Sequence, residues 1–455
     1  MKGGVPLAVC DVAIIGGGTS GAYFAREMAR RGYAVTVIDA LPRDKIGTKY
    51  DIFHIAERDF ARFEIPRPVE GDPAWAFEFA KNRNADPENR SPVTAMNPTV
   101  GLHLHEYTLL LVEAAEKAGA KFVFDASFDS FLFEDGKISG LRYKRRGRRT
   151  SLNARCVVDC SGIPAVGRTQ LPPTYGMETF PLGGDDMFYV TLRYVKLLDE
   201  KDYLDGSTFW AYYKSWIAPC ADSNGAIIGV GAVTSFEHCD EIYEDMCRHI
   251  DLPTHTVERV ERGATPYRRP PYTLVADRFI ACGDAACLTK SESGEGVTSA
   301  MTQIRIAADA LDRALTLGDA SKELLWNVNK RYNDAQGADF AFLRALLTGV
   351  INAATFDEFK YVFASGAITD GLMDAVSAGA EPKLTPAMVM PVLTAFLKGI
   401  ATGRLSRDTL KAAARALKNA LEIKAHYLDF PPTTAGYYAW VLKADVLWHR
   451  VGKMR

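Results

Sequence analysis

No apolar stretch in the 455-residue sequence is long enough to cross a bilayer, which takes roughly 20 residues in a helix. The apolar opening, Val5 to Ile15, is interrupted by Asp11 and runs into glycines, so it reads as a strand rather than a signal peptide. Charge of one sign is missing too: 54 basic against 56 acidic residues leave −2, which removes the electrostatic case for a nucleic-acid partner. The eight cysteines contain no C-x-x-C pair and no zinc-like spacing. Neither a metal nor an iron–sulfur site is therefore expected, and a reducing cytoplasm is the expected setting. No Pro/Gly/Ser-rich tract reads as a disordered linker. With 47% hydrophobic and 24% charged residues, the chain has the composition of a folded enzyme of two or three domains.

What is present begins at Asp11. Residues Asp11 to Asp39 read DVAIIGGGTSGAYFAREMARRGYAVTVID: an apolar strand, a glycine turn, a helix with Ala22, Ala25, Met28 and Ala29 at helical spacing, and a second strand. In Gly16-x-Gly18-x-x-Gly21 each glycine has its own task. Gly16 makes the tight turn, Gly18 lets the backbone approach a pyrophosphate, and Gly21 lets helix and strand pack closely. The phosphate charge meets the free amides of the helix start at Thr19 and Ser20. Asp39 ends the second strand, where a carboxylate can accept both ribose hydroxyls of an adenosine and disfavours a 2′-phosphate. The unit predicts dinucleotide binding without separating NAD from FAD.

Two later segments separate them. Cys156 to Arg168, CVVDCSGIPAVGR, is an apolar strand running into Asp159-x-x-Gly162. Phe279 to Ala308, FIACGDAACLTKSESGEGVTSAMTQIRIAA, reads as a strand, the pair Gly283-Asp284, a loop, and a helix. That helix sets Val297, Ala300, Met301, Ile304, Ala307 and Leu311 on one face. Asp284, at a strand's C-terminal edge, is placed to accept hydrogen bonds from a ribityl chain, while Gly294 and Gly296, flanked by Glu295 and Val297, clear room for a flavin at a helix start. Both segments resemble the FAD contacts of the flavoprotein family that includes p-hydroxybenzoate hydroxylase. The resemblance implies FAD as cofactor and a mixed α/β fold: a Rossmann-like FAD-binding domain of that type, a β-sheet substrate domain and a C-terminal helical region. The stretches expected are 8–50, 98–172 and 272–330 for the FAD-binding domain, 51–97 and 173–271 for the substrate domain, and 331–455 for the helices.

The chain also resembles, over nearly its whole length, the archaeal geranylgeranyl reductases, which reduce isolated double bonds in prenyl chains of membrane lipids. The segments that carry this are Ile46-Gly47-Thr48-Lys49, Gly263 to Thr273 (GATPYRRPPYT) and Ile423 to Thr433 (IKAHYLDFPPT). Trp216-Ile217-Ala218-Pro219 is similar to the second half of that family's Tyr-x-Trp-x-Phe-Pro cavity motif. Lys214 and Ala218 stand where the motif has Tyr and Phe, Asp51-Ile52 where Cys-Gly is usual, and Lys290-Ser291, followed by Glu292, where Asn-Pro is usual.

The resemblance implies hydride transfer from reduced FAD to a carbon–carbon double bond, with a nearby acid supplying the proton. Asp51, Trp216 and Lys290 are the candidate catalytic residues, with Lys49 holding the cofactor. Asp51 is expected as a neutral carboxyl between apolar walls, available as an acid; a loop aspartate capping His54 or a local helix is the alternative. Tyr212, Tyr213 and Trp216 are expected as aromatic cavity walls or, equally, as ordinary core. Two other readings stay open: a flavin monooxygenase or halogenase, whose Trp-x-Trp-x-Ile-Pro is similar to Lys214-Ser-Trp216-Ile-Ala-Pro219, and an electron-transfer flavoprotein. With one dinucleotide unit the electron donor is open between a ferredoxin-like protein and a reduced nicotinamide.

Cys160 and Cys282 precede flavin motifs on strands expected to be close, and read as inert core thiols, with a redox pair as the alternative. Lys144 to Arg149 reads as a solvated hairpin tip. Thr385-Pro386 and Ser406 each start a helix, and the second sets Leu410, Ala413, Leu417 and Leu421 on one face with Lys411, Arg415, Lys418 and Lys424 around them. A solvated face and a peripheral anchor on anionic lipid both fit that pattern.

Overall fold

Residues Ala8–Ile15 (β1) carry one charge, Asp11, and otherwise small or branched apolar side chains, the pattern of a strand covered on both faces. In the computed structural model β1 lies inside an eight-stranded sheet, between β2 (Val35–Ile38) and β9 (Arg148–Asp159). The structure describes residues 8–48, 50–88, 92–198, 206–220, 224–290, 294–371, 373 and 386–452. Beyond β9 the path continues to β16 (Phe279–Ala281) and β15 (Val275–Ala276), and beyond β2 to β6 (Lys121–Val123). β6, β2, β1, β9 and β16 run parallel. Ile15, Asp159 and Ala281 stand in one row, so β1, β9 and β16 end together. The three glycine-bearing segments all leave from this C-terminal edge, where open α/β sheets bind ligands.

Two helices start from that edge, α1 (Thr19–Arg30) and α5 (Val297–Thr316). Each buries the stripe its spacing sets out: Ala22, Ala25 and Met28 on α1, and Ala300, Ile304, Ala307 and Leu311 on α5. A hairpin joins β8 (Lys137–Arg145) to β9 through Arg146 and Gly147, both at positive φ, the backbone of a tight two-residue turn. Lys144 and Arg149 at its tip both pair with Asp129.

A second eight-stranded sheet runs in the order β14 (His255–Pro266), β10 (Met187–Leu197), β13 (Gly225–Ala232), β12 (Ser215–Pro219), β11 (Gly206–Trp210), β4 (Trp75–Ala85), β5 (Val93–His103) and β3 (Ile52–Ala56). Its pairs are antiparallel apart from β11 with β4. The ladder of β5 with β3 runs unbroken to the pair Ile52 and His103. β5 therefore stays paired in the second sheet past residue 98, up to His103, and α3 (Leu104–Lys117) follows it directly. β13 is buried along its whole length, with Ile228, Val230 and Ala232 on the side of a helix that sequence patterning missed, α4 (Phe236–His249). Ile227, on the alternate face, packs with Leu192, Tyr194 and Trp216.

The C-terminal part is helical, as expected, and includes Pro386–Ala401, Arg407–Leu428 and Tyr437–Val451. Ser406 caps the second of these, its hydroxyl accepting from the Thr409 amide at 2.9 Å, while Thr385 lies outside the described residues. His426 and Trp440 stack at 4.5 Å and exchange bonds with each other's carbonyls, locking the last two helices together. Tyr272 donates to Asp445 at 2.7 Å and Trp326 to the Pro431 carbonyl at 2.8 Å, which fixes this layer on the FAD-binding domain. Among the described residues no helix is long and apolar enough to cross a membrane.

Candidate functional site

A cavity of about 360 Å³ has the glycine segments on one wall and the second sheet on the other. Gly18, Thr19 and Ser20, Cys160 and Gly162, and Asp284, Gly294, Glu295, Gly296 and Val297 form the first wall. Ile52, Phe188, Val190, Leu192, Trp216 and Ile227 form much of the second. The sheet edge thus gathers three segments more than a hundred residues apart into one site, and the second sheet roofs it with hydrocarbon.

The first wall fits a dinucleotide for steric and electrostatic reasons. Gly16 sits at φ 96°, and a Cβ there would lie 2.4 Å from the Cys160 carbonyl oxygen. A Cβ on Gly21 would meet the Gly16 oxygen at 1.8 Å, whereas one on Gly18 would meet nothing within 4 Å. The first two glycines let backbone pack on backbone, and the third leaves open space where a ligand's phosphates approach. α1 begins at Gly18 and α5 at Gly296, and neither start has a side-chain cap or an acidic residue in its first turn. Two helix N-termini with uncapped amides therefore face one cavity, which favours an anionic ligand.

Asp39, expected to meet a ribose, holds the glycine turn. Its Oδ2 accepts from the Gly17 amide at 2.6 Å and its Oδ1 from the Leu41 amide at 2.8 Å. Gly283, at φ 60°, brings the third segment against α1, where a Cβ would lie 2.5 Å from Ser20 Oγ. Asp284 reaches the cavity and accepts a long bond from Thr289.

Asp159 differs from its expected role as a cofactor contact. It is wholly buried and accepts from the amides of Ser161 at 3.0 Å and Arg168 at 2.7 Å, so it shapes the turn that presents Cys160 and Gly162. Desolvation raises its pKa against the pull of those bonds. Arg168, quoted in the sequence only as the end of a motif, is a positioning residue. It is fully buried and donates to the carbonyls of Ala285, Glu178 and Phe180, tying the second segment to the third. A lone buried arginine leaves no periodic signal in a sequence.

Two catalytic expectations are corrected, and of the two readings of Tyr212 and Tyr213 the structure shows the core one. Asp51 is not a neutral acid: His103 Nδ1 lies 2.8 Å from its Oδ1, Arg259 donates to its Oδ2 at 2.6 Å, and the carboxyl is held down at about 2, chiefly by His103. It does not line the cavity, and neither does Lys290, whose ammonium pairs with Glu295 at 3.0 Å. Tyr212 and Tyr213 turn to the opposite face of the sheet and pack on Phe356. Trp216 does line the cavity. Lys49, Ser291 and Glu292 lie outside the described residues.

His54, one of the groups flanking the expected acid, stands in the cavity wall. Its ring packs on Phe77 and Phe79, 5.6 and 5.8 Å away, and its Nε2 is buried without a hydrogen-bond partner. Burial lowers its pKa, against a small upward pull from Glu295. Its signal in the sequence was only the strand alternation that sets it two residues from Ile52.

Residues 9–183 match the FAD binding domain family. Digeranylgeranylglycerophospholipid reductase of Sulfolobus acidocaldarius is 25% identical over 454 residues, covering 96% of each chain. A geranylgeranyl bacteriochlorophyll reductase-like protein of Thermoplasma acidophilum superposes with a TM-score of 0.68 at 16% identity, covering 92% of this chain and all of its own. The flavin-dependent brominase Bmp2 superposes with a TM-score of 0.59 at 16% identity, over 86% of this chain and all of its own. These two structures share the fold. With an FAD binding domain matched at residues 9–183 and the first wall built for a dinucleotide, the chain is an FAD-dependent oxidoreductase similar over 96% of its length to the digeranylgeranylglycerophospholipid reductase of Sulfolobus acidocaldarius.

Proposed function

We propose that this protein reduces carbon–carbon double bonds in the prenyl chain of a membrane lipid. The observation that carries this is the single cavity whose one wall is the FAD site and whose other wall is Ile52, Phe188, Val190, Leu192, Trp216 and Ile227. Bound FAD, once reduced, supplies a hydride to the alkene. The chain's own residues hold the cofactor and keep out water. Thr19 and Ser20 offer uncapped amides to its phosphates, and the aliphatic and aromatic wall both excludes water and accepts hydrocarbon.

The single proton that accompanies the hydride comes from His54. Desolvation raises the pKa of Tyr50, which makes a poorer donor, and Asp51 is ionised. The same desolvation lowers His54, so its imidazolium, when formed, is a stronger acid than an exposed one. A ferredoxin-like protein or a reduced nicotinamide recharges the cofactor.

The same reading seats the protein on an anionic bilayer. Leu417, Leu421 and Leu428 on Arg407–Leu428, and Tyr438, Leu442 and Val446 on Tyr437–Val451, are all exposed. Arg450 bonds Glu422 at 3.0 Å between the two helices, and Lys411 and Lys418 stand out in solvent nearby in sequence. Co-sedimentation with phosphatidylglycerol vesicles but not phosphatidylcholine vesicles is expected, and equal recovery in both supernatants would remove the membrane seat.

The experiment that tests the activity is anaerobic. Chemically reduced holoprotein is mixed with a geranylgeranyl-chain lipid, and return of the oxidised flavin spectrum with a saturated product is expected. Silence toward every prenyl substrate, combined with oxygen- and halide-dependent turnover, would reject reduction in favour of halogenation.

A further inference from the structure

The second sheet carries glycine at four positions that are each overlain by an aromatic ring. A Cβ built on Gly101 would lie 2.5 Å from Phe77, on Gly229 2.2 Å from Trp216, on Gly231 2.1 Å from Phe188, and on Gly263 2.0 Å from Tyr50. Real Cβ atoms essentially never approach closer than 3.0 Å, so none of these rings could stay in place above an alanine. Three of the four rings, Tyr50, Phe188 and Trp216, line the cavity.

The backbone does not demand these glycines. None of the four has a positive φ, and all stand in paired strand positions. Glycine inside a strand costs conformational entropy and contributes no side chain to packing. Four of them, each beneath an aromatic ring, are explained by the space they release. Gly229 pairs with both Leu192 and Trp216, and Val190 pairs with both Gly231 and Gly263, so three of them cluster at the centre of the face that the cavity exposes.

We infer that Gly229 and Gly231 set the depth of the cavity, and with it the length of apolar chain the protein accepts, by letting Trp216 and Phe188 lie flat on the sheet. The inference rests on the proposed prenyl substrate. A methyl group at Gly229 overlaps the Trp216 ring and drives the indole outward into the space between sheet and FAD loops, because β12 and β13 are held by their ladder and cannot part. The cavity then becomes shallower without losing any polar group. Phe188 responds to Gly231→Ala in the same way.

The test uses the FAD-loaded protein and a series of geraniol, farnesol and geranylgeraniol. For Gly229→Ala the ratio of geranylgeraniol-driven to geraniol-driven flavin reoxidation is expected to fall by about tenfold or more, at normal FAD content. Trp216→Phe, combined with it, should restore the ratio by making the displaced ring smaller. A second measurement needs no turnover: affinities of the oxidised holoprotein for the fully saturated alcohols, read by intrinsic fluorescence, should lose the longest chain first in Gly229→Ala and in Gly231→Ala. If the parent protein binds these alcohols but is reoxidised by none, prenyl reduction fails while the affinity series still tests the depth. An unchanged order of affinities and an unchanged reoxidation ratio in folded, FAD-replete Gly229→Ala and Gly231→Ala overturn the inference.

Discussion

Asp51 and Arg259 belong to the two opposite edges of the eight-stranded sheet, at the head of β3 and on β14, yet Arg259 donates to the Asp51 carboxylate at 2.6 Å. The Asp51 amide adds a bond to Glu261 at 3.1 Å, and Glu261 also accepts from Tyr194 at 2.9 Å. The sheet has curled until its edges meet, and this clasp closes it beside the cavity where Tyr50 lies on Gly263. A carboxylate in that position has a mechanical duty, and the hydrogen bonds from His103 and Arg259 explain why it stays ionised.

Asp51→Ala is expected to cost about 1–2 kcal/mol of stability, since partly exposed charge-assisted bonds are worth that much, while FAD content stays normal. The pH dependence has two limits. Asp51 is lowered from 3.8 to about 2, so its share is present above the ordinary value and is lost as pH falls toward about 2. His103 is raised from 6.5 by Asp51, so its share is present below 6.5 and is lost as pH rises through the raised value. The stability gap between parent and variant should therefore be widest in weak acid. Thermal unfolding at a series of pH values checks it, and a gap that grows steadily into alkali would contradict the clasp.

The FAD half of the fold was legible because its constraints are local. Gly16, Gly21 and Gly283 are required by contacts with backbone or a neighbouring helix start, and the uncapped starts at Gly18 and Gly296 are visible as glycines before apolar helices. The substrate half was read less well because its constraints are long-range. Nothing near Asp51 in the sequence announces that β14, some 200 residues later, will lie against it. Tyr212 and Tyr213 are the central residues of the turn between β11 and β12, and strand alternation cannot say which face of the sheet a turn residue will join. The run of β5 past residue 98 is hidden for a related reason: its partner β3 lies more than 40 residues earlier, and the strand stays in the second sheet until α3 starts at Leu104.

Asp39→Ala removes two short bonds to the amides of Gly17 and Leu41 together with the acceptor for a ribose. FAD affinity should drop by about tenfold to a hundredfold, the size of one or two lost charge-assisted bonds. Equilibrium FAD titration of the apoprotein measures this. Unchanged affinity would show that the glycine turn keeps its shape without the carboxylate.

Arg168→Met should be far more damaging than its distance from any reactive group suggests. The substitution keeps apolar bulk beneath Phe180, whose ring lies 4.4 Å from the guanidinium, and strands the buried carbonyl of Ala285 and the part-buried carbonyls of Glu178 and Phe180. A loss of about 3–5 kcal/mol is expected, with weakened FAD retention because the second and third cofactor segments are no longer joined. Urea unfolding and FAD release during gel filtration read the two effects. A variant with parental stability would mean that the three carbonyls find other donors.

His54 yields the sharpest test because its chemistry and its energetics run in opposite directions over the same pH range. In the unfolded chain an imidazole takes its proton near 6.5, whereas in the folded protein burial resists that charge. Stability should therefore be full above 6.5 and decline as pH falls toward the lowered folded value, since the unfolded state binds the proton first. Catalysis should respond the other way. The imidazolium fraction in the cavity grows through that interval, so alkene-driven flavin reoxidation should quicken as pH falls and level off below the folded pKa. Glu295, paired with Lys290, pulls His54 slightly upward and narrows the interval without closing it. His54→Gln fills similar space and keeps a hydrogen-bonding group but cannot deliver the proton. It should retain FAD, lose roughly 10²-fold or more in reoxidation rate, and show neither pH trend. A parent protein whose reoxidation rate is flat across this range, or a His54→Gln variant that turns over at the parental rate, would return the search for the acid to Tyr50 and to solvent.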